Sequence, residues 1–297
     1  MHRAIVRSLT VAAASLSVFA AGCGVTDGGA GSGAVSAALG GPLSARQVEE
    51  AAAATGAVSS EKVWIEVRTA GADGEEIATI TAEGAFDAEA LKGRVVSSLD
   101  GGSGLLADVV ELEAVYDGDT AYVRSGLAEM FTDGKPWVKL QADELGEAAG
   151  SLGGTLQSDP GAFLDLLTEV GGPIEELGDE VVRGVATRHI ATEIVPADAV
   201  EAAEGERAEK LRGKLEELGV SLDDVQPIPV EAWIDADGYV RRLVVTVDLG
   251  GLTDADGGDG ATITQTIELY DFDEPVEITV PPADQVGELD LSTILGD

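Results

Sequence analysis

The chain has 297 residues, 55 acidic and 18 basic, and a formal net charge of −37 at neutral pH. That balance excludes nucleic acid as a partner, because phosphate binding needs clustered Lys and Arg, and it excludes docking to anionic lipid through basic patches. One Cys rules out an internal disulfide framework and a cysteine zinc site, two His leave little for a histidine metal centre or triad, and no cofactor is implied. The length fits one or two domains, and 44% apolar residues are enough for a sizeable core. Aromatic side chains are scarce, 3 Trp, 4 Tyr and 5 Phe, so small and branched aliphatics must build most of that core.

Residues 1 to 22 read as an export signal. His2, Arg3 and Arg7 precede an uncharged apolar run from 9 to 21, too short for an ordinary spanning helix of about 20 residues. The run ends at Ala20-Ala21-Gly22-Cys23, small residues directly before the single Cys. This resembles the bacterial lipobox, with Ala20 where Leu is usual, and the resemblance implies cleavage before Cys23 and a diacylglyceryl thioether on its sulfur. Two acyl chains hold a protein stably at a membrane where one does not. The mature chain, with Arg3 and Arg7 removed, carries −39. It is expected at the cell membrane on its extracytoplasmic side, anchored rather than spanning. Residues 24 to 42 are mostly Gly, Ala and Ser with Asp27 as their one charge, a flexible tether with a reach of about 25 Å. Residues 23 to 42 are thus lipidated Cys and tether, and 43 to 297 the folded domain.

From 43 to 57 a helix is expected, with Ser44 as N-cap, Gln47 three residues on and Gly56 as its stop. The period then changes to two. Val63, Ile65 and Val67 alternate against Lys62, Glu66 and Arg68, with Trp64 on the second face, and Ala78, Ile80, Ala82 and Phe86 line one side of the next strand. Strands follow over 91–99, 106–116, 120–124 and 136–140, with turns at Asp117-Gly118 and Asp133-Gly134. Helices are expected over 143–149, 159–170 and 197–218, the second with Pro160 at its first position. The remaining strands fall over 180–195, 229–235, 239–249, 261–272 and 276–280, with Tyr239, Arg241, Leu243, Val245 and Val247 in phase. The fold class is α+β, a large antiparallel sheet of about eleven strands with helices gathered on one side.

Three segments carry a family resemblance: 131–139 (FTDGKPWVK), 233–241 (WIDADGYVR) and 270–276 (YDFDEPV), with 282–286 (PADQV) beyond. On them the chain resembles the LppX/LprAFG lipoproteins of actinobacteria, whose fold is shared with the LolA and LolB carriers. Where many relatives have Gly after Asp-Phe, this chain has Asp273. The resemblance implies a half-open antiparallel β-barrel whose concave face is covered by helices, with an apolar cavity for the acyl chains of lipids or glycolipids. The Ala- and Val-rich inner face agrees with a cavity and equally with tight packing of small residues.

Several constellations are set aside. Ser151, within Ala149-Gly150-Ser151-Leu152-Gly153, has the outline of a nucleophile elbow without its strand, helix and His partner. Ser59 and Lys62 have Ser-x-x-Lys spacing, but neither Ser-Asp-Asn nor Lys-Thr-Gly accompanies them. His189 reads as a surface or hydrogen-bonded strand histidine. The loop 254–260 has acidic spacing reminiscent of a calcium loop but places Gly258, Asp259 and Gln265 at positions 5, 6 and 12, so it reads as a solvated hairpin with at most weak cation binding. No catalytic or metal residues are assigned.

The expected function is that of a non-enzymatic envelope lipoprotein that binds or carries an apolar lipid or glycolipid. Exchange is expected through movement of the helices at 43–57 and 159–170. The alternative is an envelope interaction or sensory module with a filled core. Protein partners are not specified by the sequence.

Overall fold

The computed structural model describes residues 43–101, 111–126, 128–132, 134–141, 173–195, 226–248 and 261–288. Cys23, the tether, Ser151, the helices expected over 143–149, 159–170 and 197–218, and the loop 254–260 lie outside them.

The first described element is helix α1 (Ala45–Thr55). Ser44 precedes it in extended conformation, and the Gln47 side chain reaches back to accept from the Ser44 N–H at 3.0 Å, tying down the first turn. Twelve strands follow: β1 (Ser60–Ala70), β2 (Glu76–Asp87), β3 (Lys92–Gly101), β4 (Glu111–Asp117), β5 (Thr120–Ser125), β6 (Trp137–Gln141), β7 (Glu175–Val182), β8 (Val185–Ile194), β9 (Ile228–Asp235), β10 (Val240–Asp248), β11 (Thr262–Tyr270) and β12 (Val286–Glu288). A single-turn helix, α2 (Ala128–Phe131), lies between β5 and β6.

All twelve join one sheet in the order β12, β6, β5, β4, β3, β2, β1, β11, β10, β9, β8, β7. Every ladder is antiparallel except that of β12, which runs parallel to β6. Two antiparallel runs, β1 to β6 and β7 to β11, are therefore sewn together where Val63 pairs with Leu269 and Ile65 with Ile267. Among the described residues the sheet is open, with β12 and β7 at its edges.

Four details depart from the expected pattern. The segment 180–195 is not one strand but part of a hairpin, because Arg183 and Gly184 take φ of 48° and 84° and fold β7 back on β8. Two successive left-handed residues suit a two-residue hairpin, and Arg at the first of them hides the turn from inspection. Residues 276–280 are extended without joining the ladder; Pro275 and the pair Pro281-Pro282 flank them and lack N–H groups. The pairing on that edge is made instead by β12. A bulge at Arg241 shifts the register of β10, so Val240, rather than Tyr239, is the buried residue that joins Leu243 in the core. Finally, Asp273 has φ of 57°, a left-handed position that glycine takes without strain. Its carboxylate accepts from the Ser59 N–H and hydroxyl, both at 2.8 Å, which offsets the strain and holds the Asp273 carboxyl below its ordinary range.

The core lies between α1 and one face of the sheet. Leu43, Val48, Ala51 and Ala52 pack with Val63, Ile65, Ile190, Ala232, Leu243 and Ile267, all under a tenth exposed. At about 25 cal/mol per Å² of apolar area removed from water, this burial is what holds so short a helix in place.

Candidate functional site

Directly opposed residues of antiparallel strands point to one face, so the register defines rows across the sheet. One row runs from Ile190 through Ala232, Leu243, Ile267, Ile65, Ala82, Ser97 and Leu112 to Ser125. A second runs Leu269, Val63, Gly84, Val95, Ala114, Val123, Val138. Together they make a largely apolar inner face ten strands wide.

The face has two halves of different texture. Over β1 and β8 to β11 its residues are mainly aliphatic, with Arg188 and Gln265 among them, and α1 packs against this part. Over β2 to β5 the central positions are small: Gly84, Ala82, Ser97, Ala114, Ala121 and Ser125. Around them Leu99, Leu112, Val123 and Leu140 are only half-buried. Larger side chains lie between the small ones, Leu112 opposite Ser97 and Ser125, Val95 and Val123 flanking Ala114, and Phe86 and Tyr116 flanking Gly93.

Helix α1 is fastened at both ends. Before its start, the Leu43 N–H donates to Glu176 Oε1 at 2.6 Å. Glu176 also accepts from Arg188 at 3.2 Å, and Arg188, 2% exposed, lies on the inner-face side of β8 opposite Ile234. At the last residue, the Thr55 hydroxyl donates to the Ala51 carbonyl at 2.7 Å and accepts from the buried Val240 N–H at 2.9 Å. These ties hold α1 against β7 and β10.

The outer face is built of charge pairs and aromatic rings. Its central row reads His189, Trp233, Arg242, Glu268, Trp64, Glu83, Val96, Glu113, Arg124, Trp137 and holds all three tryptophans of the chain. Glu268 accepts from Arg183 at 2.6 Å and Arg242 at 2.5 Å. Glu113 is likewise gripped by Arg94 at 2.7 Å and by Arg124. Arg242 also lies over Trp233, Arg183 over Tyr270 and Arg124 over Trp137. In so acidic a chain, these guanidiniums are committed to the sheet rather than left for an anionic ligand.

His189 is a hydrogen-bonded strand histidine, as its sequence context suggests. It is 7% exposed, with Nδ1 3.1 Å from Glu180 and Nε2 2.7 Å from Glu231. Glu180 also accepts from the Trp233 indole N–H at 3.0 Å. That bond, and secondarily His189, holds the Glu180 carboxyl below its ordinary range against the opposing effect of burial. Arg188, its sequence neighbour, faces the other side of the sheet. Ser59 and Lys62 are engaged separately, Ser59 with Asp273 and the Lys62 amine with Asp271 at 2.7 Å. No group of three or more His, Cys, Asp or Glu that could hold a metal occurs among the described residues.

Two inner-face residues, Arg188 and Gln265, escaped the sequence reading. The signal was present in each: a polar residue in phase with buried aliphatics, Gln265 between Ile263 and Ile267, and Arg188 two before Ile190.

No family model and no curated protein matches the chain. Among solved structures, it is similar to LprF from Mycobacterium bovis, with 16% identity over 80% of this chain and 96% of that one and a TM-score of 0.44. It is similar to the Mycobacterium tuberculosis lipoprotein LppX, with 19% identity, 79% and 97% coverage and a TM-score of 0.43. A LolA superfamily protein from Nitrosomonas europaea is 8% identical, with 82% and 97% coverage and a TM-score of 0.25. The mycobacterial pair are lipoproteins of the type that the sequence motifs resemble.

Proposed function

We propose that this chain is an extracytoplasmic lipoprotein, held at the cell membrane through acyl chains on Cys23, that binds an apolar lipid or glycolipid against the inner face of its sheet and makes or breaks no bond in it. The observation that carries this reading is the division of that face. One part is a core under α1, while over β2 to β5 the face is rich in small residues and carries the half-buried aliphatics Leu99, Leu112, Val123 and Leu140. Acyl chains suit such a surface, because their binding energy comes from area removed from water and requires no directional partner. Among the described residues Arg94, Arg124, Arg183 and Arg242 are spent on outer-face carboxylates, which favours recognition through hydrocarbon over recognition through headgroup charge.

The test is mass spectrometry on protein purified from its own host membrane, both intact and after organic extraction. The expected result is a mature chain beginning at an acylated Cys23, with about one further lipid released per protein. Apo protein alone, together with an inner face filled by the chain's own side chains, would instead establish an interaction module. Cys23→Ala is expected to leave the domain folded and shift it out of the membrane fraction.

A further inference from the structure

Residues 276–280, Val-Glu-Ile-Thr-Val, are extended and have the composition of a strand, yet they belong to no ladder. Val276, Ile278 and Val280 are half-buried while Glu277 and Thr279 between them are exposed, the period-two pattern of a strand with one side against the protein. Among the described residues, no hydrogen bond engages the backbone of these five. The segment is nevertheless fastened beyond both ends. On the β11 side, the Asp273 N–H donates to the Ser60 carbonyl at 2.9 Å, and the Ser60 hydroxyl to the Glu274 carbonyl at 2.6 Å. On the other side β12 pairs with β6, and the Lys135 amine donates to the Val286 carbonyl at 2.8 Å. Pro275, Pro281 and Pro282 bracket the segment, fixing φ at its borders and confining any ladder to the residues between them.

We infer that residues 276–280 are a docking strand, a preformed edge to which an extended segment of a partner protein, alternating aliphatic residues with Lys or Arg, adds through backbone hydrogen bonds. An extended chain with unpaired N–H and C=O groups is completed by another backbone in the same conformation. Aliphatic residues of the added strand continue the side made by Val276, Ile278 and Val280, and its cations stand beside Glu277. Charge selects against other occupants. Residues 271–288 hold six Asp or Glu and no Lys or Arg, so an acidic segment is repelled, and a second copy of this chain brings the same excess of carboxylates to the contact. With both flanks fastened, little chain entropy is lost when the partner docks. Docking here requires no lipid on the inner face.

The experiment is amide hydrogen exchange, read by mass spectrometry on the full-length protein in detergent micelles, with and without the end-blocked peptide Lys-Val-Lys-Ile-Lys-Val-Lys. Its control is the same peptide N-methylated at every residue, which keeps the charges and side chains and removes the N–H donors. In the free protein the amides of 276–280 are expected to exchange as fast as those of an unstructured chain. The peptide is expected to slow them and the N-methylated peptide to leave them unchanged. Ile278→Pro and Thr279→Pro remove donors from opposite edges of the segment, and since neither N–H is bonded within the protein, both variants are expected to fold. One of the two is expected to bind the peptide at least about fivefold more weakly, the scale of one net hydrogen bond. Glu277→Lys, at an exposed position, is expected to weaken binding without lowering the melting temperature. Amides of 276–280 already protected in the free protein, equal effects of the two peptides, or unchanged affinity in all three variants overturns the docking strand. Protection that appears without peptide as protein concentration rises makes the occupant a second copy and overturns the basic partner.

Discussion

The imidazole of His189 lies flat on the indole of Trp233, ring centroids 4.0 Å apart and planes 12° from parallel. Glu180 is bonded to both, through Nδ1 of the one and Nε1 of the other, so three adjacent strands, β7, β8 and β9, are joined on the outer face by one carboxylate. The stack and its two carboxylate partners account for the burial of His189, the only histidine in residues 43–297.

Acid sensitivity follows from that carboxylate. The Glu180 carboxyl is held below its ordinary value of 4.5, chiefly by the Trp233 N–H. A depressed folded-state value means that its stabilisation is complete above the unfolded value and is lost as pH falls through the folded one. Melting temperature is therefore expected to decline with acid, as pH falls below the ordinary value of 4.5, less steeply in Glu180→Gln than in wild type. Parallel curves for the two proteins in calorimetry would rule the linkage out.

The pairing of Glu113 with Arg94 and Arg124 should be strongly non-additive. Each Arg is about half-exposed, 48% and 47%, while Glu113 is 7% exposed. Losing either Arg alone leaves the carboxylate one cation and is expected to cost under about 1 kcal/mol. Losing both strands a buried charge, and Arg94→Ala with Arg124→Ala is expected to cost about 3 kcal/mol or more. Urea unfolding of the two singles and the double provides the cycle, and additive values would contradict this.

Thr55→Val keeps the shape of the side chain and removes the acceptor for the buried Val240 N–H. About 1–3 kcal/mol of stability is expected to be lost. The distinguishing readout is local: amide exchange should quicken in α1 and at the start of β10 before it does in β3 to β5.

Gly93 lies beneath the ring of Phe86, its cross-strand partner. A Cβ there would stand 2.7 Å from the ring edge. Gly93→Ala is expected to displace the ring and cost about 1–3 kcal/mol, measurable by thermal melting. An unchanged melting temperature would mean that the ring moves freely.

Much of the sheet was legible because period-two alternation reports burial directly. Val63, Ile65 and Val67 against Glu66 and Arg68, or Ala78, Ile80 and Ala82 in β2, announce a face before any partner is known. What escaped was set by backbone dihedrals or by tertiary competition. Arg183-Gly184 turns a strand into a hairpin through two positive φ values, of which only the Gly is suggestive. Residues 276–280 have the composition of a strand and lose the edge to Val286–Glu288, a choice made by prolines and by the Lys135 amine, which donates to the Val286 carbonyl at 2.8 Å. The inner face was visible as aliphatic phase, but which of its residues α1 covers depends on which strands become neighbours.

The union of β1 with β11 bears on how the protein is made. β1 stands at the middle of the sheet, yet one of its two partners is among the last strands translated. Until β11 arrives, one side of β1 offers unpaired backbone to any other strand, including one from a second copy. Its charges are arranged to meet that exposure: Glu61, Lys62, Glu66 and Arg68 interrupt the aliphatic run of β1, acting as gatekeepers against intermolecular pairing. With so many carboxylates repelling other copies, a central seam left open until synthesis is nearly complete is guarded against pairing with a second chain.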